Sequence, residues 1–349
     1  MQLTLIANPR ASRVTPELIA AVARELGAAR TLLTERAGHA TELAAAVEDG
    51  TIAVFSGDGG FNEVLNGVRP GIALGFVPGG GTSVLPRALG LPRDPLAAAR
   101  RIAAGRTRRI SLGRANGRRF GFSAGLGLDA ELVRRMDERG RDASGKRPGD
   151  LVFAWTALQA LAAHRSRFEE ALEIEGHGRA AFALVANSDP YSYAGALPLR
   201  LPRGARFEGG LDLLAPRTLR ARHLPGAVRY VLTGRTRIPL ATLHDQNRIV
   251  LRADRPLPLQ VDGEDLETWP RSCSRPSATR STSSSRGALT ESPARRLSGC
   301  AQASPPTPAA PRRVRRRLVG VERDEERRAA RRGDRRGVRL RPRRPALRQ

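Results

Sequence analysis

The sequence predicts an α/β protein in which a parallel sheet with helices on both faces is followed by a β-rich second domain. Three observations predict it. The first hundred residues alternate between short apolar runs and segments of helical period, the pattern of a wound parallel sheet. Several of those runs end in turn-forming or glycine-rich strings. Near residue 110 the alternation gives way to short, glycine-punctuated strands.

Leu3–Ala7 is a strand closed by Asn8-Pro9, a turn signal. Thr15–Leu26 places Leu18, Ile19, Val22 and Leu26 at helical spacing and stops at Gly27. Arg30–Leu33 is a second strand, and Ala40–Val47 an alanine-rich helix. Thr51–Phe55 is a buried-type strand, Phe61–Val68 opens a helix, Ile72–Val77 is the next strand, and Pro86–Leu89 begins another helical stretch. In the second domain the expected strands are Arg108–Leu112, Arg119–Ser123, Leu172–Ile174, Ala180–Ala186 and Leu211–Leu214, interrupted by helices over Ala130–Arg139 and Asp150–His164. The expected domains are 1–110, 111–268 and a tail over 269–349.

The net charge of +26 belongs mostly to that tail, where 23 Arg face 6 acidic residues from Pro270 onward, leaving +9 for the rest. The tail is rich in Ser, Pro, Thr and Arg, carries no hydrophobic period, and supplies no recognisable strand. Three readings stand for it: a solvated disordered arm, a non-specific grip on polyanions such as nucleic acid, or the product of a shifted reading frame after Thr268-Trp269. Cys273 and Cys300 both lie in it, so the body has neither a disulfide framework nor a cysteine metal site. The five histidines are scattered without ligand spacing. The N-terminal run lacks the basic flank of a signal peptide. The longest apolar stretch, Leu151–Ala163, falls short of the about 20 residues that span a bilayer, so a cytoplasmic protein is the expectation. That stretch, with Phe153, Trp155, Leu158 and Leu161, reads either as a helix packed on the second domain or as one that meets lipid.

The strongest chemical signal is Ser56-Gly57-Asp58-Gly59-Gly60-Phe61-Asn62-Glu63-Val64-Leu65-Asn66-Gly67, which follows an apolar strand and opens a helix. Glycines let the backbone approach a phosphate, and the helix start offers amides and a favourable dipole. Asp58 is placed in the turn, where it serves a metal–phosphate or simply caps the helix. A second cluster, Pro78-Gly79-Gly80-Gly81-Thr82-Ser83, follows the next strand, and Asn8-Pro9-Arg10-Ala11-Ser12 makes a third turn. Such turns on neighbouring strand ends converge on one crevice.

Together these turns resemble the catalytic domain of bacterial diacylglycerol kinases, related phospholipid kinases and sphingosine kinases. That family carries an Asn-Pro turn, a Gly-Gly-Asp-Gly-Thr-x-Asn-Glu-Val-x-Asn-Gly loop, and a Gly-Thr-x-Asn-Asp-type loop ending in Arg-x-Leu-Gly-hydrophobic-Pro. Here the last of these ends Arg87-Ala88-Leu89-Gly90-Leu91-Pro92. Gly125-Leu126-Gly127-Leu128-Asp129-Ala130, Asn187 with Tyr191, Tyr193 and Gly195, and Val261-Asp262-Gly263-Glu264 are similar to its later motifs, in family order. The resemblance implies a phosphofructokinase/NAD-kinase-like nucleotide domain, a β-sandwich domain with helical insertions, and ATP with Mg2+ between them. It implies that Asn8, Pro9, Arg10, Ala11, Ser12, Thr34, Gly57, Asp58, Gly59, Gly60, Asn62, Glu63, Gly80, Gly81, Thr82 and Ser83 line the nucleotide. It implies that Asp58 organises metal and phosphates, and that Glu264 is the general base for a diacylglycerol-like hydroxyl. Asp262-Gly263-Glu264 also reads as a hairpin turn, and the two readings are compatible. The implied setting is the inner face of the membrane, with peripheral contact and room for a homodimer.

The chain departs from the family string at several positions. Gly60 stands where Thr is usual, Ser83-Val84 where Asn-Asp is common, Ser111 where Asp is frequent, and Arg206–Leu211 where paired Asp bind a structural Mg2+. Fewer hard oxygen ligands weaken the expected metal network. Two other functions therefore stay open: a weakly active or non-catalytic kinase fold whose tail binds polyanions, and a kinase acting on a soluble acceptor.

Overall fold

The computed structural model describes residues 2–138, 167–168, 170–269 and 317–323. Strands β1 (Leu3–Ala7), β2 (Arg30–Leu33), β3 (Thr51–Ser56) and β4 (Ala73–Pro78) form an all-parallel sheet in the order β2-β1-β3-β4. Successive side chains of a strand point to opposite faces, and the central strands are apolar on both. Ile6, Ile52 and Val54 enter one buried cluster with Phe61 and Phe76, while Leu5, Ala53 and Phe55 enter another with Ile19, Val22 and Ala99.

Five helices cover these faces: α1 (Pro16–Leu26), α2 (His39–Ala46), α3 (Asp58–Gly67), α4 (Val84–Ala88) and α5 (Pro95–Ala103). α1 begins with Thr15 Oγ1 accepting the Leu18 amide at 3.2 Å and ends at Gly27 in the left-handed conformation. α5, which the sequence reading did not resolve, begins with Asp94 Oδ1 accepting the Ala97 amide at 2.7 Å. α3 starts inside the glycine run at Asp58 rather than at Phe61.

The second domain comprises β5 (Gly113–Ala115), β6 (Arg118–Phe120), β7 (Ser123–Leu126), α6 (Leu128–Glu138), β8 (Arg167–Phe168), β9 (Leu172–Ile174), β10 (Gly178–Ala180), β11 (Ala183–Ala186), β12 (Ser192–Ala194), β13 (Leu197–Leu199), β14 (Leu211–Pro216), β15 (Leu219–Arg220), α7 (Leu224–Thr233), β16 (Leu240–Gln246), β17 (Arg248–Ala253), β18 (Leu257–Val261), β19 (Glu264–Trp269) and β20 (Arg317–Arg323). Two six-stranded antiparallel sheets result, β10-β9-β17-β20-β5-β6 and β16-β14-β11-β7-β18-β19. One buried core joins them, with Phe120, Leu172, Ile174 and Leu251 from the first sheet and Leu126, Leu211, Leu213 and Leu259 from the second. This is a sandwich.

Four expectations change. The single strand expected over Ala180–Ala186 is the end of β10 and all of β11, which lie in different sheets. The strand expected over Arg108–Leu112 is an irregular connection: the Ser111 amide donates to Phe207 O at 3.0 Å, and its carbonyl accepts Asn187 Nδ2 at 2.7 Å. The single strand expected over Arg119–Ser123 breaks into β6 and β7, because the Gly121, Phe122 and Ser123 amides donate to the Asp262 carboxylate. The tail was expected to supply no strand, yet Arg317–Arg323 lies between β17 and β5 and pairs with both. Its short apolar run Leu318-Val319 is hidden among arginines in the sequence. The expected helix over Asp150–His164 and the remainder of the tail lie outside the described residues.

Candidate active site

A cavity of about 1040 Å³ opens at the C-terminal ends of the four parallel strands, where α/β sheets place their ligands. Asn8, Arg10, Ala11 and Ser12 line it after β1, and Thr34 after β2. Gly57, Asp58, Gly59, Gly60 and Glu63 follow β3, and Gly80, Gly81 and Thr82 follow β4. Gly195 and Glu264 reach it from the second domain. Three of the expected nucleotide residues are not on its wall. Pro9 is not among the lining residues. Ser83 is buried, with its Oγ bridging the Gly80 amide and carbonyl at 3.3 and 3.1 Å. Asn62 is fully buried and faces the second domain.

The two glycine loops fold against each other. The Gly79 amide donates to Ser56 O at 2.7 Å, and a β-carbon on Gly80 would lie 2.8 Å from Gly57 Cα, closer than such atoms approach. The Gly59 and Gly60 amides precede the first intrahelical bond of α3, from Phe61 N to Gly57 O at 3.1 Å. They are donors of the kind that hold a phosphate. Asp58 lies between the loops, and its Oδ1 accepts the Val84 amide at 2.8 Å, so one oxygen of this carboxylate secures the start of α4. Glu63 is likewise committed: its oxygens accept the Gly38 and Ala40 amides at 2.9 and 3.1 Å, capping α2.

Glu264 arrives on a two-residue hairpin between β18 and β19, with Val261 paired to Glu264 across the turn. Asp262 and Gly263 both have positive φ, 50° and 79°, the requirement of a tight primed turn. Three contacts fix this turn. The Gly263 amide donates to Gln260 Oε1 at 2.9 Å. Arg134 Nε donates to Asp265 Oδ2 at 2.9 Å. The buried Asp262 carboxylate accepts four N–H groups: Gly121 N at 2.7 Å, Phe122 N at 2.9 Å, Ser123 N at 3.1 Å and Asn62 Nδ2 at 2.8 Å. Burial raises the Asp262 pKa, and these donors pull it back down in part. Since Asn62 belongs to α3, Asp262 ties the hairpin to the glycine-loop helix. Glu264 then sits against the loop itself: a β-carbon on Gly59 would lie 2.8 Å from Glu264 Cδ and would overlap Oε1.

The remaining second-domain motif supports the same turn. Tyr191 OH donates to Asp129 Oδ2 at 2.7 Å, and Gln260 Nε2 donates to the same oxygen at 2.6 Å. Burial raises the pKa of both Asp129 and Tyr191. Arg87 Nη1 donates to Gly195 O at 3.1 Å, and its guanidinium stacks on Tyr193 with the carbon 3.3 Å from the ring centroid. Sequence reasoning missed Arg13, Arg36 and Arg93, all of which line the cavity. Arg36 was findable from its position just past the end of β2.

Among the described residues no group of three or more His, Cys, Asp or Glu is placed to hold a metal ion. At the family's structural metal segment, Glu208 is instead exposed beside Arg108 at 3.7 Å. Asp58 and Glu264 both line the cavity, and Asp58, with hard carboxylate oxygens, is of the chemistry that suits Mg2+.

Residues 2–115 match the diacylglycerol kinase catalytic domain. A diacylglycerol kinase of Bacillus subtilis is 43% identical over 101 residues, 28% of this chain and 33% of that protein. A diacylglycerol kinase of Staphylococcus saprophyticus is 38% identical over 95 residues, 25% of this chain and 30% of that protein. These matches span about a third of each relative's length. The crystal structure of a diacylglycerol kinase from Bacillus anthracis superposes with a TM-score of 0.54 at 21% identity, covering 75% of this chain and 89% of that one, so the likeness of fold extends well into the second domain. The sequence likeness to the diacylglycerol kinase catalytic domain thus lies in residues 2–115, about a third of the chain.

Proposed function

We propose that this protein transfers a phosphoryl group from ATP to the hydroxyl of a diacylglycerol-like lipid. The observation that carries the reading is the seating of Glu264, from the second domain, against Gly59 of the glycine loop. Phosphoryl transfer asks a protein mainly to position the partners and to neutralise charge, with a carboxylate beside the attacking hydroxyl. The Gly59 and Gly60 amides and the turns at Asn8–Ser12 and Gly80–Thr82 hold the triphosphate. Arg10, Arg13, Arg36 and Arg93 on the cavity wall offset its charge. Glu264 takes the proton from the acceptor hydroxyl. Asp58 would help to hold a Mg2+ ion, which would supply charge neutralisation to the phosphates. ATP and the lipid meet at the cytoplasmic face of a membrane, with the protein in peripheral contact; among the described residues no helix is long and apolar enough to cross one.

The test is transfer of labelled phosphate from ATP to a lipid extract in the presence of Mg2+. The full chain labels lipid, and Glu264→Gln lowers kcat by about 10²-fold or more while ATP still binds. A wild-type protein that binds ATP but labels no lipid refutes the reading. The non-catalytic alternative draws on one observation, the lack of a carboxylate cluster among the described residues, and the same assay decides it.

A further inference from the structure

α7 presents an apolar stripe that nothing among the described residues covers. Leu224, Val228 and Leu232 are 39, 57 and 62% exposed, three of the five exposed large hydrophobic residues among those described. Their spacing of four puts them on one side of the helix, and no residue of α7 is buried. The helix is nonetheless held. Tyr230 packs against the cluster of Phe182, Leu184 and Leu214, and Arg203 Nη2 donates to Val231 O at 2.6 Å. Around the stripe the charge has one sign: 217–239 contains six arginines and no Asp or Glu. Arg222, Arg229, Arg235 and Arg237 are all exposed.

We infer that α7 is the helix by which the protein seats on an anionic lipid bilayer, with its apolar stripe between the acyl chains and its arginines among the headgroup phosphates. A lying amphipathic helix of this composition is an interfacial element. Charge disfavours the other occupants. A second copy brings the same arginines to a symmetric interface. The tail from Pro270, at +17, is basic, and so are the flanks of the chain's own 139–166 segment. The Leu151–Ala163 run of that segment is uncharged. A stripe covered by that run would show as a lowered unfolding temperature in a Val228→Asp, Leu232→Asp double variant, which would overturn the inference. The connection joining α7 to the cavity places the surface usefully. Gly195 lines the cavity, Leu197 beyond it is 50% exposed, and Arg203 anchors α7. The inference deepens the lipid-kinase reading and rests on it for its purpose, but its test needs no turnover.

The full chain is sedimented with vesicles of phosphatidylcholine alone and of phosphatidylcholine mixed with phosphatidylglycerol, without ATP. The expected result is selective binding to the mixed vesicles. Part of it survives about 0.5 M salt, which screens the arginines but not the apolar stripe. Val228→Asp with Leu232→Asp lowers it about tenfold and removes the salt-resistant part, with the unfolding temperature unchanged because both positions are exposed. Val228→Trp adds tryptophan emission that brominated acyl chains quench, read against wild type. Unaltered binding by the double variant assigns vesicle binding to the tail and overturns the inference. So does an unquenched V228W signal in vesicle-bound protein, or a wild-type dimer that the double variant dissociates. Vesicle binding without lipid labelling would leave α7 as a membrane surface and remove only the kinase reading.

Discussion

Replacing Asp262 by Asn tests whether one carboxylate holds the two domains in register. Its Oδ2 accepts Asn62 Nδ2 at 2.8 Å and Gly121 N at 2.7 Å, and its Oδ1 accepts Phe122 N at 2.9 Å and Ser123 N at 3.1 Å. Asparagine keeps the shape and tolerates the positive φ of 50° at this position, so the backbone contribution cancels. It keeps only one acceptor oxygen, and in either orientation its NH2 faces two N–H donors. The residue is 2% exposed, which leaves those donors no ready route to solvent. Each buried donor without a partner costs about 1–3 kcal/mol, so D262N loses roughly 2–6 kcal/mol of stability. Urea unfolding followed by circular dichroism reads this loss as a lower midpoint. Because Glu264 is two residues away on the same hairpin, kcat falls while nucleotide binding persists. A loss below about 1 kcal/mol together with unchanged kcat would refute the idea that this carboxylate sets the position of Glu264.

Two further predictions concern groups around the same frame. A β-carbon on Gly60 would lie 2.7 Å from Ser56 Cβ and overlap its Oγ, so Gly60→Ala costs about 1–3 kcal/mol by overpacking. Adding Ser56→Gly recovers most of it; a double variant no more stable than G60A would show that the strain lies elsewhere. Burial raises the Asp129 pKa. A raised folded-state pKa favours folding while the group is protonated and costs stability as pH climbs through it. Asp129→Asn is therefore expected to gain progressively on wild type as pH climbs above the ordinary carboxylate range, measured as the difference in unfolding midpoints. A difference that stays constant as pH climbs counts against a raised pKa.

The centre of the parallel sheet was legible because strands buried on both faces are plain apolar runs: β1 and β3 fall within a residue of the expected spans. The glycine run was read as a turn, although most of it is the first turn of α3. Local sequence cannot show that its unpaired amides belong to a helix. The second domain was harder. The break between β6 and β7 is made by Asp262, 139 to 141 residues further along the chain, and no local pattern carries that information. The family string placed Asn62 and Glu63 near the nucleotide, yet consecutive helix residues project about 100° apart. Glu63 turns toward α2 and Asn62 toward Asp262. The motif thus identified residues that build the site without saying which of them face it.

The departures from the family string now divide by location. At the nucleotide end they are compensated within contact distance. Ser56 Oγ fills the space that a side chain at Gly60 would take, in a chain whose family string has Gly and Thr at these two positions. Ser83 Oγ closes its own loop onto Gly80, and the Val84 amide is capped by Asp58. The loops therefore keep close backbone contact despite the changed residues. In the second domain the departures are not compensated in the same way: Glu208 stands exposed beside Arg108, and among the described residues no metal cluster forms there. Among the ties between that domain and the loops are the Asn62–Asp262 hydrogen bond and the Arg87–Gly195 hydrogen bond, with Gln260 and Asp129 supporting the hairpin from within the domain. In the proposed transfer the Asp262–Glu264 hairpin carries the base, so variants there separate a working kinase from a binding fold.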